Sequence, residues 1–513
     1  MKTRWKILIA AGAFLVLLAG TMIFSAHLQP ENAVEAYKKL LRARGEKLEL
    51  AELMSPPVPA QSNSEDAVEE AFGLMGSGIE NIPEAMKMVA PGKALVGWAQ
   101  PGPRGDDFTN TWDELADEVA VDRPAVELLH QILERPSLDF RLDYTKGVDL
   151  LLPHLAPMKR AAQTLDAAAI CELHFGDTGA ATTNILTMLG LVQKDSSDRL
   201  LISHLVHIAI VAIAVPPTWE LLQHTNETDP QLAALQKGWE HLDFLGDAEN
   251  AFVTERAVTA NAIERLRASP VELQKTLGSG VFTGTFGSPA SSSGWEVLME
   301  KPRNLIGEVM WRSSWSYSDE LRALKCNTII IDAVRMMQTN HSEFYRADYD
   351  AMQSKLSAIG ITNVGAAFFH KLNIPDLSEI FGNSDIGRAV GGTLRIEAAR
   401  RVVITAIALK RFQLRNGHWP QTLNDLVPEF FASVPIDPYD GKPLRYHPNP
   451  DGTFLLYCVG EDGVDDGGDP TLPPGIRSTA TLYWQDVHAR DWVWPQPTTV
   501  VMKVRYISEP PLK

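Results

Sequence analysis

Cysteine is scarce in this chain: Cys171, Cys326 and Cys458 are the only three among 513 residues. They stand far apart and are odd in number, which excludes a disulfide framework and the paired spacing of a structural zinc site. Small buried thiols are the simpler reading. Positive charge is also in deficit, with 47 Lys and Arg against 64 Asp and Glu and a formal net charge of -17. No Lys/Arg stripe interleaved with aromatics offsets it, so nucleic acid is not expected as a partner. Motifs for nucleotide and acyl chemistry are missing too. The G-x-S-x-G pattern does not occur, and the Gly-rich stretch at 278–284 has neither a preceding strand nor the Lys-Ser/Thr ending of a phosphate loop.

What is present is ordinary globular composition, 45% hydrophobic and 22% charged, which argues for packed cores over disorder. The length suggests two to four domains. Lys2, Arg4 and Lys6 precede an uncharged apolar run from Ile7 to Phe24. As a helix the run extends ~27 Å, enough to cross a hydrocarbon core of ~30 Å with help from its flanks. Cleavage after Ala26 would place the bulky Phe24 at the minus-three position, so retention as an anchor is expected. The cations before the span put the N-terminus in the cytoplasm and the bulk of the chain outside it. The expected layout is an inner-membrane anchor over 1–26, with lipid contacting residues 7–24, then a juxtamembrane helix and Pro-rich linker over 27–111.

From Trp112 the pattern turns to successive helices, continuing to residue 394. Leu165, Ala169 and Leu173, then Ala181, Ile185, Met188 and Val192, lie at helical spacing on either side of Gly176-Asp177, which predicts a helical hairpin and a possible helical-repeat array. The run from Leu200 to Val215 is strongly apolar but carries Ser203, His204 and His207, and is expected to be a buried helix stopped by Pro216-Pro217. His204 and His207 lie one turn apart, yet no acid sits between them in the zincin manner, so they read as helix-packed or solvent-reaching histidines. Trp484, Trp492 and Trp494, in strand-like segments, read as core.

A C-terminal module begins at residue 395. A long helix ends at Asn416-Gly417; Trp419-Pro420, the short LNDLVPEF helix (423–430), a Pro/Asp-rich turn (434–448) and the strand 454–460 follow in order. This order resembles the C-terminal part of the major pseudopilins of type II secretion, through Asn416, Gly417, Trp419 and Pro420, then Leu423, Leu426, Val427 and Pro428, then Asp437, Pro438, Gly441, Pro443 and Tyr446, and finally Tyr457, Gly460, Asp462 and Gly463. The family's N-terminal processing site and its glutamate are not found here, so the module reads as one carried on a different anchor. Within it, Asp462, Asp465, Asp466 and Asp469 are separated by glycines, a grouping that suits an oxygen-seeking cation as readily as a solvated turn. The resemblance implies that this loop holds calcium (Ca2+), with those four carboxylates as ligands.

The expected fold is α+β: a transmembrane helix, a large mainly α-helical region, and a small C-terminal α+β module (395–513) with an antiparallel sheet. The expected function is that of a membrane-anchored extracytoplasmic structural or binding component with protein partners in the cell envelope, as in a secretion-like assembly. The alternative is an envelope hydrolase whose site is assembled from dispersed residues. A deep pocket with convergent histidine and carboxylates would favour the second, and a smooth concave helical face the first.

Overall fold

In a computed structural model the protein is described at residues 30–54, 56–76, 79, 85–99, 111–195, 198–278, 309, 311–339, 345–359, 383–477, 481–482 and 484–498. The expected membrane segment 7–24 and the Gly/Ser-rich residues 279–294 lie outside these. The described part is mostly helical with small sheets, as the α+β expectation requires.

Helix α1 (30–43) buries Val34 against Ala260 and Leu324 and ends at Gly45, whose φ of 81° a residue with a Cβ rarely adopts. After α2 (Glu65–Leu74), α3 (Trp112–His130) starts at a capping box in which Thr111 and Glu114 satisfy each other's backbone amides. The predicted hairpin is formed by α4 (Leu155–Phe175) and α5 (Thr178–Gln193). Gly176 turns the chain at φ 85°, and Asp177 caps α5 by accepting from the Ala180 amide at 2.9 Å. Runs of alanine in α4, buried at 161, 162 and 167–169, let its neighbours approach closely.

Helix α6 (Leu201–Gln223) packs on both hairpin helices and is the one described helix long and apolar enough to cross a membrane, but most of it is buried inside the protein. The expected stop at Pro216-Pro217 is corrected: the helix runs on to Gln223. Each proline withholds an amide, at a cost of about 3 kcal/mol in a helix interior. Tertiary packing offsets it, because the turn beyond the prolines buries Trp219 and Leu221 completely, and an indole alone removes ~150–250 Å² from water.

Helices α7 (Asp229–Glu240), α8 (Phe244–Ala268) and α9 (Pro270–Gly278) follow, and α10 (Ser316–Thr339) and α11 (Tyr345–Ala358) build a second apolar cluster with α8. The long helix α12 (Asn383–Asn416) ends as expected at Gly417, φ 78°. The expected boundary between residues 394 and 395 falls inside it. Its middle lies in the larger apolar cluster, which also takes in Val68 of α2, the hairpin helices and Trp494 near the C-terminus.

Beyond α12, strands Arg445–Pro448 and Phe454–Cys458 pair antiparallel with Tyr446 opposite Leu456, and Trp492–Val493 pairs antiparallel with Phe454–Cys458 on its other edge. Trp484, Trp492 and Trp494 are buried, the first and last edge to face at 5.4 Å. The chain then returns to the N-terminal side: Gln496–Pro497 pairs parallel with Lys93–Ala94, itself antiparallel to Met88–Ala90.

Glu397 of α12 is buried between two arginines, accepting from Arg401 Nε at 2.9 Å and Arg400 Nη2 at 2.8 Å, while Arg401 also donates to Tyr345 Oη and Ile436 O. Burial alone would raise its pKa, but Arg400 and Arg401 overcome this and bring it down to about 2. A depressed folded-state value means stability that is present above the ordinary carboxyl range near 4.5 and is lost as pH falls toward 2. An acid denaturation series should therefore show a loss of roughly 3 kcal/mol in that window. Glu397→Gln should flatten it.

Candidate functional site

The acidic loop expected to hold calcium is organised by protein groups. Asp465 meets Arg445 Nε at 3.1 Å and accepts from Tyr457 Oη at 2.9 Å, Asp466 pairs with Arg490 at 3.2 Å, Asp469 accepts from the Thr471 amide at 3.0 Å, and Asp462 accepts from the Val464 amide at 3.0 Å. The amides of Gly468 and Asp469 both donate to Oδ2 of the buried Asp491, at 2.8 and 3.0 Å. Asp465 thus turns to Arg445 and Tyr457, while Asp466 and Asp469 both lie against Arg490. Among the described residues the four expected ligands do not come together as a group that could share one ion.

The group that does come together is His154, Asp195 and Asp198, whose nearest donor atoms lie within 4.8 Å of one another. His154 stands just before α4, and the two aspartates lie between α5 and α6. The hairpin brings them together: the chain leaves at the foot of α4, turns at Gly176 and returns along α5 to the same end. The returning segment is fixed by Leu138, whose amide donates to Lys194 O at 2.7 Å, and by the Tyr144 hydroxyl, which accepts from the Arg199 amide at 2.7 Å.

His154 Nε2 is 2.8 Å from Asp198 Oδ2, and Asp198's amide reaches Asp195 Oδ1 at 3.2 Å. Behind them, His207 of α6 bonds Asp195 Oδ2 at 3.2 Å and faces Asp247 of α8 at 3.9 Å. The side chains of Asp195 and Asp198 are fully buried and that of His154 is 4% exposed. Burial raises Asp247 to about 6, and although burial disfavours a charged His207, Asp195, Asp247 and Asp198 together raise it above the ordinary histidine value. His204, one turn earlier, is held neutral: burial and its neighbour His207 lower it to about 3, and its Nε2 is 2.8 Å from Thr393 Oγ1. The two histidines are packed, one of the two readings the sequence allowed, but they serve different neighbours.

Asp198 Oδ1 is buried and, among the described residues, has no hydrogen-bond partner. An orphaned carboxylate oxygen is costly unless something positive meets it. Three acids, Asp195, Asp198 and Asp247, gather around His154 and His207 here, a surplus of carboxylates of the kind a metal cation complements. One imidazole and two carboxylates suit divalent Zn, Mn, Fe or Co and leave coordination positions for water. His207 and Asp247 would be the outer shell that orients Asp195.

His154 also lines an open cleft of about 490 Å³. Its ring stacks on Phe140 at 4.2 Å, and Phe140 stacks in turn on Phe72 at 6.5 Å. At the rim, Arg141 has a φ of 53°, a left-handed conformation that a long side chain rarely adopts, secured by its amide bond to Asp139 Oδ1 at 2.8 Å and an ion pair with Glu65 at 2.6 Å.

The sequence signal that could have found the site is Asp195-Ser-Ser-Asp198 following a predicted hairpin, since the hairpin's closure places that pair beside whatever precedes its first helix. No protein-family model, curated protein or solved structure matches this chain, so its functional reading rests on the chemistry of these side chains.

Proposed function

We propose that the protein is a membrane-anchored, extracytoplasmic metal-dependent hydrolase, with His154, Asp195 and Asp198 as ligands of a divalent transition metal beside the cleft. The observation that carries this reading is the buried three-donor cluster with the unpartnered Asp198 Oδ1. A metal held by three protein ligands lowers the pKa of a bound water toward ~7 and polarises a carbonyl or phosphoryl oxygen, which is hydrolytic chemistry. The apolar run at 7–24 supports the anchor, and the cation bias before it supports the orientation. The competing reading, a protein-binding scaffold ending in a pseudopilin-like module, draws on the order of motifs after residue 395.

The deciding experiment uses the full-length protein in detergent, loaded with Zn2+ or Mn2+, against model ester, amide and phosphodiester substrates. Turnover that chelator removes, metal restores and Asp195→Asn abolishes is expected. A protein that holds its metal but shows no metal-dependent turnover on any of these would favour the scaffold.

A further inference from the structure

Residues 85–99 form a strap held against α6 and α4. Glu220 of α6, fully buried, accepts from the amides of Met86 and Gly97, both at 2.8 Å and both at Oε1, and its backbone carbonyl accepts from Trp98 Nε1 at 3.3 Å. The Trp98 ring lies on His224 at 4.0 Å, and Trp98 O meets His174 Nδ1 at 2.8 Å. The strap also carries the strand that pairs with Gln496–Pro497, whose neighbour Pro495 O accepts from Trp219 Nε1 at 3.0 Å. Two adjacent residues of α6, Trp219 and Glu220, therefore clamp the N-terminal strap and the C-terminal strand together.

Among the described residues the second oxygen of Glu220, Oε2, which is buried, has no hydrogen-bond partner, and neither has the buried Oδ1 of Asp166, the acid of α4 that acts on it electrostatically. No basic side chain among the described residues offsets either charge. His224, His174 and Lys410 on the surrounding elements are engaged elsewhere. His224 bonds Leu173 O, His174 bonds Trp98 O, and Lys410 of α12 bonds His224 O and pairs with Glu227. Two acids with orphaned oxygens in one buried site cannot both ionise without a large penalty.

We propose that Glu220 and Asp166 form a proton-dependent latch, in which at least one protonated carboxyl keeps the strap shut on α6 and loss of that proton at alkaline pH releases strap and C-terminal strand together. Burial supports this by raising Glu220 to about 7 and Asp166 well above the ordinary carboxyl range. The sign follows from linkage: an acid raised in the closed state and relaxed to its ordinary value in the open state favours opening as pH rises between the two.

Hydrogen exchange on the full-length protein in detergent tests the latch, with rates corrected for the intrinsic pH dependence of exchange. The protection factor of peptides spanning 85–99 should fall about tenfold between pH 6 and pH 8.5, while that of α4 peptides around 161–173 stays level. Glu220→Gln keeps both amide bonds and cannot ionise, so its strap protection should not change with pH. Asp166→Asn removes the opposing acid but leaves Glu220 buried and ionisable, so its strap protection should still fall with pH. Level protection in the unmodified protein, or a fall that Glu220→Gln shares, would overturn the latch.

Discussion

Asp198→Asn will weaken divalent metal binding by about a hundredfold or more and erase the stabilisation that metal confers. A ligand that binds only the folded state at a hundred times its Kd adds about 2.7 kcal/mol, so unmodified protein should melt at a visibly higher temperature in Zn2+ or Mn2+ than in chelator. Asparagine fills the same space and can still bond His154 Nε2, but it brings no anionic oxygen to a cation. The variant should therefore fold and melt at one temperature whether metal is present or not. In chelator it should be at least as stable as the unmodified protein, because a buried acid with an orphaned oxygen has been removed. A purely structural His154–Asp198 pair predicts the reverse pattern, lower stability without metal and an unchanged response to it.

Trp219→Ala should destabilise the protein by about 3–5 kcal/mol, the range for emptying a large buried aromatic site. The indole is fully buried in the cluster that joins α4, α5, α6 and α12, and its Nε1 donates to Pro495 O, 276 residues away in sequence. Truncation thus opens a cavity and also orphans a buried carbonyl on the C-terminal strand. Denaturant unfolding followed by tryptophan fluorescence and by far-UV dichroism should give one coincident transition shifted to lower denaturant, because the sheet that holds Trp492 and the helices share a core. Two separated transitions would mean that the C-terminal region unfolds as its own unit.

Much of the secondary structure was legible because its signals are local. Gly176-Asp177 turns one helix into the next, and Asn416-Gly417 ends another, since both rest on a left-handed glycine and a side-chain cap that the residues themselves specify. Pro216-Pro217 misled for the same reason: a local rule predicts a stop, and only the burial of Trp219 and Leu221 by distant helices shows why the helix continues. The acidic loop was visible as a string of aspartates, but the arginines at 445 and 490 that engage it, and Asp491 beneath it, are contacts that no spacing within the loop announces. The His154, Asp195 and Asp198 group was legible in part. The hairpin was predicted, and its closure alone implies that His154 meets Asp195 and Asp198; what the sequence withheld was that the meeting place is buried, acidic and next to a cleft.

The most direct test of the metal centre is a titration of full-length protein, stripped by chelator, with Co2+ while the visible spectrum is recorded. The account predicts saturation at a single equivalent with ligand-field bands of a nitrogen–oxygen site, displacement by Zn2+, and no such bands in Asp198→Asn. Binding with unchanged bands in that variant, or no saturable spectrum at all, would contradict it.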